Sequence, residues 1–407
     1  MNDFDVIVVG AGPAGATAAL RLGKAGVRTL LLEKAKSFPR EKPCGGGITA
    51  RALVRFPYLA EVFQRIAVNP IPRVTLESPD GSSFVHEDAT PMMHLVRRWE
   101  FDAALFELAK PLVQVELGAT VQTVAREDSG VKVALADGRS FTARLVIGAD
   151  SVNSVVARQM GLREGDVRGQ LAIDMMEETP NARLRASRKD TVSLFLIEAG
   201  YGYIFPKVEH TNLGFGCTSE FYQKQMRGKG REHHLDWVGE MKSKLLVEGD
   251  ADLACFRAFP IPFSGPQTSV GERVLLAGDA GGFVNAFTAE GIVFSMITGE
   301  LAADAAVAAV RKRDSSAKQL RGYERAWKAE IGAELQRSVE IKHRIFNDSG
   351  RIDSLARAAA RDARLAKLFI DYSLGAARYE ELRSYMLRSS VPQWVMGRVR
   401  SAMGFAG

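Results

Sequence analysis

Cysteine is scarce in this chain: three residues in 407, namely Cys44, Cys217 and Cys255. Their scatter matches neither a disulfide framework nor metal-ligand spacing, and three thiolates fall short of the four that an iron–sulfur cluster needs. No metal site is therefore expected, and a reducing, cytoplasmic compartment fits best. No run of about 18 apolar residues occurs, so no segment is expected to span a bilayer. The first apolar run, residues 6–9, is short, follows Asp3 and Asp5 and enters glycines at once, unlike a signal peptide. Internal repeats, low-complexity tracts and long flexible linkers are lacking too. A single G-x-G-x-x-G occurs, so the sequence offers no second motif of that kind.

The composition that remains is that of a globular protein, 46% hydrophobic and 25% charged. The net charge of +6 is unevenly spread. Residues 311–407 hold 20 Lys+Arg and 11 Asp+Glu, or +9, which leaves −3 for the rest. This basic C-terminal segment could meet an anionic membrane surface or an acidic partner, or could simply be a solvated helical face. No nucleic-acid partner is expected.

Residues 4–9 read as a buried β-branched strand, followed by Gly10-Ala11-Gly12-Pro13-Ala14-Gly15, an Ala/Leu-rich helix to about Gly26 and a second strand ending at Glu33. This is a βαβ unit of the expected length. Gly10 permits the tight turn, Gly12 lets backbone approach a pyrophosphate, and Gly15 lets the helix pack on the strand. Pro13 and Ala14 open the helix, whose N-terminus offers N–H groups and partial positive charge to phosphates. Glu33, beside Lys34, lies 18 residues beyond Gly15, where a carboxylate can accept from ribose hydroxyls. Strand patterns return at residues 73–85, 120–124, 131–135 and 145–148, with Asp137-Gly138 as a hairpin turn. Residues 169–263 look mostly β, with one polar helical stretch at 220–246. A further buried strand at 274–277 ends in Gly278-Asp279. After Gly291 and Ile292 the chain reads as helical nearly to its end, with breaks near 347–350 and 389–392. Asp279 could bond a ribityl hydroxyl, and the helix beginning near Gly291 could stabilise charge on a reduced flavin.

A third nucleotide signal is Gly148-Ala149-Asp150-Ser151, which resembles the G-A-D-G segment of aromatic-hydroxylase flavoproteins with Ser151 in place of the second Gly. Together the three ordered signals resemble the p-hydroxybenzoate-hydroxylase-like fold and imply FAD. The expected architecture is α/β. It comprises a Rossmann-like FAD-binding domain (residues 1–72, 94–168 and 264–310), an inserted, mostly antiparallel β-sheet substrate domain (73–93 and 169–263) and a C-terminal helical domain (311–407). Val121 is placed with the cofactor residues.

Lys42-Pro43-Cys44-Gly45-Gly46-Gly47-Ile48 resembles the K-P-C-G-G-G-I segment of the geranylgeranyl reductase family. Arg98-Trp99-Glu100-Phe101-Asp102 resembles that family's R-x-x-F-D, which implies a place for Arg98 near the flavin or its phosphates. Residues 368–382 resemble its C-terminal helical segment. The resemblance implies FAD-dependent reduction of C=C bonds in a hydrophobic isoprenoid. Cys44, Gly45, Gly46 and Gly47 would be the catalytic loop, its bare backbone lying against the flavin face. Cys44 could contact substrate, gate flavin movement or tune reoxidation. Tyr201-Gly202-Tyr203-Ile204-Phe205-Pro206 resembles the family's Y-x-W-x-F-P, with Tyr203 in place of Trp. Alternation puts Tyr201, Tyr203 and Phe205 on one strand face, as a substrate lining or as a core stripe. A second departure is Ala286-Phe287-Thr288-Ala289-Glu290-Gly291-Ile292, where two alanines replace the Pro and first Gly of P-x-T-G-E-G-I. No general acid is evident; His94 and Glu290 lie near motifs. A flavin monooxygenase or halogenase on the same fold is the alternative, and a non-catalytic redox carrier a second. The stretch 391–405, with Trp394, Met396, Met403 and Phe405 among Arg398 and Arg400, could sit at a membrane interface or pack as a terminal helix.

Overall fold

The computed structural model describes residues 2–163, 168–345 and 349–388, so the 391–405 stretch and the expected break at 389–392 lie outside the described residues. The chain forms two compact units. The first comprises Met1–Lys42, Arg98–Val167 and Ile261–Arg337. The second comprises Pro43–Arg97, Arg168–Pro260 and Ser338–Gly407.

In the first unit, apolar β-branched runs form a sheet that is parallel at its centre. Its order is Val270–Gly271, Val274–Leu276, Ser140–Gly148, Phe4–Val9, Thr29–Glu33, Gln114–Leu117. The hairpin Val121–Glu127 and Gly130–Leu135 extends off Ser140–Gly148. Phe4–Val9 pairs in parallel with both neighbours, so its side chains are covered on both faces. The helix Pro13–Lys24 lies against the long helix Ile292–Lys312 so closely that a Cβ on Gly299 would stand 2.2 Å from the Ala14 carbonyl oxygen. By length and composition Ile292–Lys312 could cross a membrane, contrary to the sequence expectation that no segment qualifies. However, 72% of its most apolar window is buried within the protein, as in a core helix.

The second unit is built on a seven-stranded sheet. Its order is Arg257–Pro262, Leu171–Pro180, His210–Thr218, Gly200–Pro206, Thr191–Ile197, Arg73–Glu77, Ser83–Glu87. Thr191–Ile197 and Arg73–Glu77 run parallel, and the pairings around them are antiparallel. One face buries Phe195, Ile204, Leu213, Phe215 and Trp237 in an apolar core. The helices Ser349–Ala359 and Ala363–Ser373 pack on the far edge, where Phe84 meets Phe369 edge-on at 6.1 Å.

These units cut the chain differently from the expected domains. Residues 43–72 and 94–97, expected in the FAD domain, belong to the second unit. The cause is a small sheet of Gly47–Thr49, Met93–Val96 and Val68–Ile71, whose short strands carry no clear alternation. The C-terminal helices form no separate domain. Ala317–Trp327 sits on the first unit, with the Tyr323 hydroxyl donating to the Leu276 carbonyl (2.7 Å), and the helices from Ser349 onward belong to the second.

Candidate functional site

The glycine turn closes as expected in the first unit. A Cβ on Gly15 would stand 1.7 Å from the Gly10 carbonyl oxygen, so only glycine allows the helix to start there. The helix that follows has no side-chain cap and no acid in its first turn, so its N–H groups are left for an anion. Above the turn stands Arg40, which sequence reading missed. One of its terminal nitrogens lies 3.4 Å from where a Gly12 Cβ would be and 3.3 Å from the Asp102 carboxylate. Its Nε is 3.7 Å from Glu33 and has no hydrogen-bond partner. An uncapped helix start with a cation beside it fits a pyrophosphate.

Glu33 is buried at the strand end. Its carboxylate accepts from the Ala11 N–H (2.8 Å) and the Ala35 N–H (2.9 Å), which fixes it beside the glycine turn with lone pairs left for a ribose. Lys34 is exposed. Arg98 is buried and makes a two-pronged pair with Asp102 at 2.8 and 3.1 Å. Asp102 thus gathers Arg98 and Arg40 on one carboxylate.

Gly278 and Asp279 form a short turn beside the start of Ile292–Lys312; a Cβ on Gly291 would be 3.6 Å from an Asp279 carboxylate oxygen. This helix, too, lacks a side-chain cap and an acid in its first turn. Ser151 and Ala289 explain the family's glycines: both adopt left-handed backbone, with φ of 68° and 54°.

Two expected cofactor contacts have other tasks. Asp150 turns its buried carboxylate onto its own chain, accepting from the Ser154 hydroxyl (2.6 Å) and the Val155 and Val156 N–H groups (2.7 and 3.2 Å). Burial raises its pKa against those hydrogen bonds. Its side chain shapes the 150–156 turn. Val121 lies in the apolar core opposite Leu135.

The second unit carries the loop and aromatic row. Gly46 has φ of 73°, and a Cβ there would stand 2.0 Å from the Val96 carbonyl oxygen. A Cβ on Gly45 would meet the Phe205 ring at 2.6 Å, so Phe205 lies flush on the loop, and Gly47 faces the same ring. Cys44 is half-buried, and its Sγ accepts from the Gly46 N–H (3.4 Å). The row itself is continuous: ring centroids of Tyr201 and Tyr203 are 6.1 Å apart, and those of Tyr203 and Phe205 are 4.9 Å apart. Gly202 and Ile204 point the other way, Gly202 against Trp237. Pro206 ends the strand, its carbonyl accepting from Asn69 (2.6 Å).

Three features of this face were not visible in the sequence. In the facing strand, Gly214 and Gly216 stand opposite Tyr203 and Tyr201, leaving bare backbone beside the row. Asp174, opposite Gly216, reaches across it, and the Tyr203 hydroxyl lies 3.1 Å from both its oxygens. Beneath the loop, Lys207 is buried, pairs with Glu178 and donates to the Cys44 carbonyl (3.4 Å). Arg97 pairs with the same Glu178 at 2.8 Å. Burial pushes the Glu178 carboxyl up, but Lys207 and Arg97 outweigh it and hold the group below its ordinary value. His94 packs on Phe63 (5.3 Å between ring centroids), and burial lowers its pKa. Among the described residues no group of His, Cys, Asp and Glu is placed to hold a metal ion.

A family model described as an FAD binding domain matches residues 3–325. Digeranylgeranylglycerophospholipid reductase 1 of Methanopyrus kandleri is 30% identical over 355 residues, covering 81% of this chain and 87% of that protein. Among solved structures, a geranylgeranyl bacteriochlorophyll reductase-like protein from Thermoplasma acidophilum superposes with a TM-score of 0.81 at 21% identity, over 94% of this chain and 98% of its own. A flavoprotein/dehydrogenase from Cytophaga hutchinsonii gives 0.74 at 17%, over 99% and 100%. At such identities the structures share the fold, which is the p-hydroxybenzoate-hydroxylase-like one expected. With the domain match and the relative spanning most of its length, the chain belongs to the geranylgeranyl reductase family of FAD-dependent flavoproteins.

Proposed function

We propose that this protein saturates C=C bonds of an isoprenoid. The observation that carries the reading is the face formed by Tyr201, Tyr203 and Phe205 against the bare backbone of Gly214, Gly216 and the 45–47 loop. Three aromatic rings in a row beside glycine backbone suit an extended hydrocarbon. FAD, when bound and reduced, supplies the two electrons for the reduction. Gly12, the uncapped helix start at Pro13 and Arg40 would hold its pyrophosphate. Glu33 would hold its ribose, and Asp279 and the start of Ile292–Lys312 its flavin end. The aromatic row excludes water and orients the alkene, which an unactivated double bond needs before it can react.

The electron donor in this reading is NAD(P)H or a ferredoxin-type protein. In this reading the protein is cytoplasmic, in keeping with its scarce cysteine, and peripheral to the membrane that would hold a hydrophobic substrate, with the basic segment 311–407 as the contacting region. Anaerobic photoreduction, followed by geranylgeranyl diphosphate or a menaquinone, tests the activity. Flavin reoxidation with a product gain of about 2 Da per bond, as addition of H2 demands, supports it and chooses between lipid and quinone. Failure with both, together with an oxygenated product in air, transfers the reading to a monooxygenase.

A further inference from the structure

We propose that the Tyr203 hydroxyl, refilled through Asp174, is the proton donor of this reduction, an assignment that rests on the reductase reading above. Saturating a C=C bond needs a hydride equivalent at one carbon and a proton at the other. The chain must supply the proton from within a face that holds water off. Tyr203 is the polar group at the middle of the row, flanked by Tyr201 and Phe205 at 6.1 and 4.9 Å between ring centroids. It is 3% exposed, so its proton cannot come directly from bulk water. Asp174 is half-buried and 3.1 Å away through either oxygen, which gives the buried phenol a link to solvent.

The link exists because of the sheet register. Asp174 faces Gly216, and Gly216 faces Tyr201. A Cβ on Gly216 would lie 3.7 Å from an Asp174 oxygen, so glycine leaves the space beside the carboxylate open. Burial and the Asp174 charge raise the Tyr203 pKa well above its ordinary value, so the phenol stays protonated until a developing negative charge on carbon draws the proton off.

The step balances. In the resting state Tyr203 donates to the Asp174 carboxylate. In the donating state Asp174 carries a proton and donates it to the phenol oxygen, while the phenol O–H turns to the substrate. The Tyr203 O–H bond breaks and a C–H bond forms with the π-electron pair left on the second carbon. The Asp174 proton then restores the phenol, and water restores Asp174. The reducing equivalents are those of the reduced cofactor. Tyr203 is the catalytic residue here, and Asp174 positions and recharges it. His94 is a weaker candidate, since it packs at a tilt against Phe63 and its pKa is lowered by burial.

The test compares wild type, Tyr203→Phe and Asp174→Asn, each purified with flavin and photoreduced without oxygen. Tyr203→Phe should slow reoxidation by the alkene at least about 100-fold, within the range for a lost general acid. It should bind substrate to the oxidised protein within about threefold of wild type, and it should lose the solvent deuterium isotope effect on reoxidation. Asp174→Asn should slow the step by a smaller factor. In the tyrosine ring-carbon NMR spectrum, that variant should shift the Tyr203 signal without any turnover. Equal rates and an equal isotope effect in Tyr203→Phe overturn the donor assignment and leave the reductase reading standing. If reduced wild type is reoxidised by no alkene at all, the reductase reading falls and takes this assignment with it.

Discussion

The two units build their candidate sites by opposite means. In the first, the candidate site is made of backbone: a glycine turn and two helix starts without caps, with Glu33 and Arg40 placed around them. In the second, the face is made of side chains that meet across strands: Tyr203 with Asp174, Lys207 with Glu178, and Phe205 on Gly45. Backbone sites depend on the conformation of a short contiguous segment. Side-chain sites depend on sheet register and tolerate exchange at single positions, as Tyr for Trp at 203 illustrates. Glycine substitutions should therefore abolish function in the first unit, whereas substitutions in the second should tune it.

The largest effect expected is from Gly15→Ala. Its Cβ would overlap the Gly10 carbonyl oxygen at 1.7 Å, and no flexible side chain is available to yield. The variant should purify without the visible flavin band or fail to fold, whereas Tyr203→Phe should keep a full complement of flavin. Flavin retained in Gly15→Ala would break the contrast outright. Next comes Lys207→Met, which leaves the half-buried Glu178 paired with Arg97. Loss of one partner from such a pair costs about 3 kcal/mol, readable as a lower urea midpoint at constant slope.

The same network gives a pH dependence with a definite sign. The folded pKa of Glu178 is depressed below its ordinary 4.5. Its ionisation therefore adds stability that is fully present above about pH 4.5 and is lost as the pH falls from there through the folded pKa. Urea unfolding between pH 3 and 6 should show wild type weakening on acidification, and Glu178→Gln should show a shallower slope. Equal slopes would remove the pair from the account. A smaller effect is expected of Arg40→Ala: FAD affinity should fall about 10- to 100-fold, or about 1.4 to 2.7 kcal/mol, as read by titrating the apoprotein. An unchanged affinity would assign Arg40 to holding Asp102 and Glu33 alone.

The same contrast decides what could be read before the structure. The glycine turn, Glu33 and the Gly278-Asp279 strand end are contiguous motifs whose spacing states their local geometry, and the structure forms the turn and the strand ends at those residues. The aromatic row was legible because alternation on one strand needs no partner. Asp174 was not, because it lies 29 residues from Tyr203 and two strands away, on a strand, Leu171–Pro180, buried on both faces and so without alternation. Lys207, Glu178 and Arg97 were hidden in the same way. Arg40 lay in a polar loop that carries no motif. Asp150 misled because a motif residue was assumed to face the ligand, while its carboxylate is turned to its own N–H groups.

The smallest effect gives the sharpest test of whether the first unit's loops are governed by backbone. Ser151 and Ala289 stand where the family pattern carries glycine, and both sit at positive φ, 68° and 54°. An L-residue in left-handed backbone costs about 1 to 2 kcal/mol relative to glycine, partly offset because glycine loses more entropy on folding. Ser151→Gly and Ala289→Gly should therefore each stabilise the protein by about 0.5 to 1 kcal/mol, as a rise in the urea midpoint. The two should be additive, since they occupy separate turns. Ala289→Gly should also leave the flavin spectrum unchanged, because it alters strain and not a contact. A destabilised Ala289→Gly would mean that the methyl group packs usefully in the 286–292 loop. The departure from the family pattern there would then be a change of shape that the protein uses.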